Sequence, residues 1–303
     1  MDALNTTLAR ALLSLALCLG LALCPAAALA GDAAPDLRHA ELDGLDLVYA
    51  ESGSVEPALV LVHCWGGDMS FWHYQVEGLS GEMRVITLDL PGHGASQVPD
   101  GPLTQELMAR AVLAVMDAAG VETAFLAGHS MGASVVRQVA LMAPERVHGL
   151  ILVDGALFPA PATPEEEAAW SQAMQGFMDQ FSGPDGENAT AAFLESLHGA
   201  ETPQEVRDWV RDKILATPAE VRISAMQELL KPEIWKAGPV VQPTLAVYAA
   251  SPDSPPDLED ILRVMFPDLE YHFWVGPGHF FQLERPQELN ALISGFISRH
   301  LPE

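Results

Sequence analysis

The stretch Thr123–Ala140, TAFLAGHSMGASVVRQVA, decides the reading of this chain. It opens as an apolar run suited to a buried strand, meets Gly128-His129-Ser130-Met131-Gly132, and continues as a small-residue helix. This is G-x-S-x-G in the setting that gives the pattern meaning, with a strand before it and a helix after it. A serine at the tip of a sharp strand-to-helix turn is held in a strained backbone conformation, so its neighbours must be small. Gly128 and Gly132 meet that need. The turn pushes the Ser130 hydroxyl outward and aims the first N–H groups of the helix at whatever that hydroxyl attacks.

Outward from this turn, strands and helices alternate. Alternating apolar positions from Leu37 to Tyr49 predict two strands joined at Asp43-Gly44. Ala58–His63 (ALVLVH) and Arg84–Leu90 (RVITLDL) read as buried strands of a parallel sheet. Between them Ser70 is expected to cap a short helix carrying Phe71, Trp72 and Tyr74. Thr104 starts a helix that Gly120 ends. Beyond the serine, Val147–Val153, Pro243–Ala250 and Leu269–Val275 are strands, and Pro256–Met265 and Pro286–His300 are helices. From Phe158 to Gly238 no strong strand is found, only helical segments starting near Thr163, Glu187, Thr202 and Thr217. The pattern predicts an α/β fold, a doubly wound and mostly parallel sheet of eight strands. The interruption at about 155–238 is read as a helical cap over one end of it.

With 303 residues, 49% of them hydrophobic, the chain can bury a substantial core. A formal net charge of −26 argues against nucleic acid, because few cations are available to displace phosphate counterions. Anionic membrane surfaces should be repelled on the same ground, so no stable membrane association is expected. At the N-terminus, Arg10 precedes ALLSLALCLGLALC and the small-x-small site Ala28-Leu29-Ala30. This reads as a signal peptide over residues 1–30, with cleavage after Ala30 and export of residues 31–303 to a periplasm or the medium. Cys18 and Cys24 leave with it, so Cys64 stands alone and no internal disulfide is expected.

A serine is a weak nucleophile at neutral pH until a base takes its proton. Of ten histidines, His279 in Gly276-Pro277-Gly278-His279-Phe280 follows the last strand and can turn back over the strand ends. His129 adjoins Ser130 but points elsewhere, and His93 lies in a turn that could border the site. The imidazole needs a carboxylate to fix its tautomer. Asp253, three residues after the strand ending at Ala250, is the first choice, giving the order Ser–Asp–His. Asp154, at the end of the preceding strand, competes with it, and Asp257 is a distant third. A tetrahedral oxyanion needs two donors, for which the N–H groups of Met131 and Trp65 are the candidates.

Together HCWGG, DLPGHGAS, GHSMG and GPGHFFQLERP resemble the α/β-hydrolase family over nearly the whole chain beyond residue 30. The resemblance implies that family's fold, closest to small serine esterases with a helical cap. Ser130 separates the chain from relatives such as epoxide hydrolases that carry aspartate there. The implied activity is hydrolysis of a carboxylic ester or lactone through an acyl-enzyme. Amide, thioester or carbon–carbon hydrolysis, perhydrolysis, or ligand reception without turnover are the alternatives. The partner is a small-molecule ester, and no metal or organic cofactor is required. Two departures stand out. Cys64 occupies a position where relatives usually have glycine, a strained choice if that position needs a positive φ. The strand after the cap ends Ala249-Ala250-Ser251-Pro252-Asp253, one residue out of step with the usual Gly-x-x-Asp. In the cap, Trp170, Met174, Phe177, Met178 and Phe181 recur at helical spacing, to pack it on the sheet or to line the acyl pocket.

Overall fold

In the computed structural model, which describes residues 36–251 and 255–301, the sheet opens with the expected hairpin. Strands β1 (Leu37–Leu42) and β2 (Leu45–Ser52) pair antiparallel about Asp43-Gly44, both at positive φ (53° and 85°), as a two-residue hairpin turn requires. β3 (Ala58–Val62), β4 (Arg84–Leu88), β5 (Ala124–His129), β6 (Val147–Val153), β7 (Thr244–Ala249) and β8 (Leu269–Trp274) complete an eight-stranded sheet. Its order is β1-β2-β4-β3-β5-β6-β7-β8, and every pairing from β4 to β8 is parallel.

The sheet is covered on both faces because its strands have no polar side. In β3, Ala58, Val60 and Val62 face one core while Leu59 and Leu61 face the other, following the two-residue period of a strand. The first core is closed by helices α2 (Gln105–Ala118) and α3 (Met131–Met142) through residues such as Val112, Val115, Val135 and Val139. The second is closed by α1 (His73–Leu79) and by the C-terminal helix α10 (Pro286–Arg299), with Leu79, Leu289, Ile293 and Phe296 buried.

Between β6 and β7 the chain forms four helices and no strand: α4 (Pro164–Asp179), α5 (Gly186–Ser196), α6 (Gln204–Ala216) and α7 (Ala219–Leu229). A reciprocal capping box of Thr163 and Glu166 starts α4. After β7 come α8 (Leu258–Met265) and the short α9 (Phe281–Glu284). Thr104 caps α2, its hydroxyl accepting from the Leu107 N–H at 3.0 Å. Near Phe71 the cap is Asp68 rather than Ser70, because the Asp68 carboxylate accepts from the Ser70 N–H at 2.8 Å and also pairs with Lys213 at 2.9 Å. Residues 1–30, read as a signal peptide, lie outside the described residues. No described helix is long and apolar enough to cross a membrane.

Candidate active site

Strand β5 stops at His129, and the chain turns into α3 through Ser130, whose backbone sits at φ 54° and ψ −116°. That conformation is costly for a residue with a Cβ, and the surrounding structure holds it in place. The Ser130 N–H donates to the Val153 carbonyl at 3.0 Å, while its own carbonyl accepts from Ala133 and Ala156. The flanking glycines are needed for space. A Cβ on Gly132 would lie 2.3 Å from the Val62 carbonyl oxygen, and one on Gly128 would lie 2.2 Å from the Gly132 carbonyl oxygen. Ser130 makes no side-chain capping bond to the helix it begins, so its hydroxyl stays available.

His279 and Ser130 line the same cavity. The His279 loop follows β8 and is fastened from two sides. Its main-chain N–H donates to the Leu197 carbonyl at 2.8 Å, tying it to the cap at the end of α5. Its carbonyl accepts from Nε2 of His129 at 2.9 Å. His129 is fully buried, and its Nδ1 accepts from the Gln282 amide at 3.0 Å. Burial first, and then the neighbouring His279, hold the His129 pKa well below the ordinary imidazole value, so the ring is neutral. It does not border the cavity.

The imidazole of His279 meets the carboxylate of Asp154, with Nδ1 2.5 Å from Oδ2. Asp154 immediately follows β6, at a left-handed φ of 44°. Its N–H donates to the Val247 carbonyl and its Oδ1 accepts from the Ala249 N–H at 2.9 Å, so the ends of two adjacent strands fix it. In a neutral imidazole whose Nδ1–H is given to Asp154, Nε2 is the nitrogen that can receive a proton. Asp253, the sequence's first choice for this place, lies outside the described residues. The signal for Asp154 was the pair Asp154-Gly155 directly at the strand end. A Cβ on Gly155 would meet Ala133 of α3 at 2.7 Å.

Two N–H groups named as oxyanion donors, those of Trp65 and Met131, bond to no protein acceptor among the described residues. Met131 begins α3, where the helix leaves its first donors open. Trp65 is nine-tenths or more buried, and its indole N–H donates to the Arg222 carbonyl at 2.6 Å, which fixes the side chain away from that role. Cys64 is not at positive φ; the left-handed residue of this loop is Gly66, at 66°, so cysteine there carries no strain of that kind. Its side chain is buried in the cavity wall, and burial pushes the thiol well above its usual pKa.

His93 does not border the cavity. Its ring is buried 5.0 Å from that of His63, its Nδ1–H donates to the Pro91 carbonyl, and burial lowers its pKa to about 3. Of the cap stripe, Met174 and Phe177 reach the cavity, while Trp170 donates its indole N–H to the Leu230 carbonyl and Phe181 packs edge-on against Trp65. Among the described residues no cluster of three or more His, Cys, Asp or Glu is arranged to hold a metal ion.

A nucleophile-bearing turn, an imidazole oriented by a carboxylate, and open main-chain donors form an arrangement able to attack a carbonyl. The comparisons agree with it at the level of the fold. Residues 57–286 match the model of the alpha/beta hydrolase fold family. A dihydrolipoyllysine-residue acetyltransferase component of the acetoin cleaving system from Pseudomonas putida is 30% identical over 290 residues, 88% of this chain and 70% of that one. The protein of the same description from Cupriavidus necator is 38% identical over 122 residues, and the match spans only 33% of its length. The pimeloyl-[acyl-carrier protein] methyl ester esterase of Serratia marcescens is 29% identical over 84% of this chain and 99% of its own. Among solved structures, a thermophilic esterase from Thermogutta terrifontis superposes with a TM-score of 0.73 at 25% identity, covering 87% of this chain and 99% of the esterase. This chain belongs to the alpha/beta hydrolase fold family.

Proposed function

We propose that the protein is a serine hydrolase of carboxylic esters or lactones. Ser130 attacks the carbonyl carbon. Nε2 of His279 takes the hydroxyl proton and then gives it to the leaving alcohol. Asp154 holds the imidazole in the required tautomer and stabilises its charged form. The N–H groups of Met131 and Trp65 bind the oxyanion, where losing one donor typically costs ~10²–10³ in rate. Water resolves the acyl-enzyme by the same proton path in reverse. The observation carrying this reading is the 2.5 Å contact of His279 with Asp154 at the cavity that Ser130 shares. The methyl ester esterase among the relatives supports an ester over an amide.

Hydrolysis of p-nitrophenyl esters of increasing acyl length, wild type beside Ser130→Ala, is the test. Activity in the wild type and none above background in the variant is expected. A folded wild type inert on every ester would refute the ester reading and turn attention to amide or carbon–carbon cleavage. Export belongs to the same proposal. A secreted or periplasmic product whose first residue is Gly31 is expected, and a product that keeps its first residues inside the cell would end that part of it.

A further inference from the structure

The cavity over Ser130 and His279 has a volume of about 320 Å³, near the small end of the ~300–1,000 Å³ range of small-molecule sites. Apart from Ser130, His279 and the neutral thiol of Cys64, its wall is hydrocarbon and aromatic. Met174, Phe177, Phe193 and Leu197 close it from the cap, and Phe280 and Trp65 from the sheet side. Among the described residues, no Lys, Arg, Asp, Glu, Asn or Gln lines it. A carboxylate carried into this space would lose its water and find no cation, which is far more costly than burying a methyl group of the same reach.

Arg222 does not alter this. The Trp65 indole bonds to its carbonyl, but Arg222 is not among the residues lining the cavity, and its guanidinium is engaged elsewhere. There Nε donates to the Thr217 carbonyl at 3.0 Å and Nη1 to the Thr190 hydroxyl at 3.1 Å. The net charge of −26 adds long-range repulsion of anionic ligands.

We infer that the substrate is an uncharged ester or lactone with hydrocarbon or aromatic groups on both sides of the carboxyl function. At ~30 Å³ per water-sized group it holds on the order of ten non-hydrogen atoms within the cavity. The enzyme discriminates against esters of the same length that end in a free carboxylate. This rests on the assignment of Ser130 as nucleophile, but the test separates the two. In Ser130→Ala, binding of methyl octanoate and of the monomethyl ester of suberic acid is measured by tryptophan fluorescence, so no turnover is needed. At least about 100-fold tighter binding of methyl octanoate is expected. In the wild type, p-nitrophenyl hexanoate should be hydrolysed in preference to mono-p-nitrophenyl adipate by a similar factor in kcat/KM.

Equal or tighter binding of the carboxylate ligand, or no binding of either, would overturn the substrate class. Selective binding of methyl octanoate with no ester hydrolysis would keep the substrate class and refute the nucleophile assignment. Met174→Arg places a cation in the wall from a half-buried helix position. It should weaken methyl octanoate binding and strengthen binding of the suberate monoester at least about tenfold. No gain for the carboxylate in a folded Met174→Arg protein would put the ligand elsewhere and overturn the inference.

Discussion

Nδ1 of His279 lies 2.5 Å from the Asp154 carboxylate, joining the loop after the last strand to the end of β6. Asp154 is held there by the Val247 carbonyl and the Ala249 N–H, so the acid is fixed before it meets the imidazole. Asp154→Asn should therefore lower ester turnover by roughly 10⁴ through the wrong imidazole tautomer, with the fold intact. Asp253→Asn should stay within a few-fold of wild type. Steady-state kcat for both variants on one p-nitrophenyl ester checks this, and the reverse pattern would return the acid to the loop after β7.

The nucleophile turn tolerates no added carbon. The Cβ of an alanine at 132 would sit 2.3 Å from the Val62 carbonyl oxygen, in rigid backbone of the central strand. Gly132→Ala should destabilise the protein by about 3 kcal/mol or more, since overpacking against main chain cannot relax by a rotamer change. Urea unfolding monitored by far-UV circular dichroism measures it. A midpoint equal to the wild type's would show that α3 can move away from β3.

Much of this was legible from the chain because it is local. The hairpin at Asp43-Gly44, the run of β3 and the Ser130 turn each depend on residues within a few positions of one another. The acid was not local in that sense. Asp154 follows β6 and Asp253 comes three residues after the run that ends β7 in the sequence, and these two strands are neighbours in the sheet, so pattern alone does not rank the two acids. What the structure adds is the contact of Asp154 with His279, made from a left-handed backbone at the strand end that periodicity does not reveal. The cap was legible as helices but not as a lining. Trp170, Met174 and Phe177 share one stripe, and which of them reaches the cavity depends on how α4 sits on its neighbours.

Cys64 lines the cavity, yet burial keeps it as a thiol. A protonated, buried thiol is a poor nucleophile. Cys64→Gly should keep kcat/KM within about threefold, and Cys64→Ala should lower stability by about 1 kcal/mol. The folded wild type should resist N-ethylmaleimide until denatured. Rapid labelling, or a collapse of activity in Cys64→Gly, would give the thiol a role beyond packing.

Acid sensitivity should follow from His93, which burial holds at a pKa of about 3 against ~6.5 in the unfolded chain. Its lowered folded value favours the native state fully above pH ~6.5. As pH falls from there, the unfolded chain takes the proton first, and stability drops by ~1.4 kcal/mol per pH unit for this one group, levelling near pH 3. His93→Phe also removes an Nε2 that has no partner among the described residues. Its stability, from urea melts between pH 7 and 4, should fall less steeply than the wild type's by that amount. Parallel lines would mean that His93 is already protonated in the native state.

His129 should act through His279 rather than on substrate. Its Nε2–H donates to the His279 carbonyl, Gln282 fixes its other nitrogen, and it is absent from the cavity wall. His129→Ala leaves that carbonyl and the Gln282 amide unpaired, at a cost of ~1–3 kcal/mol each if they stay buried. A small displacement of the His279 loop can cost on the order of 10² in rate. The loss should fall on kcat with KM little changed, because no substrate contact is removed. His129→Gln, which retains a donor, should recover part of kcat. A loss confined to thermal stability, with normal kcat below the melting range, would reduce His129 to a packing residue of the core.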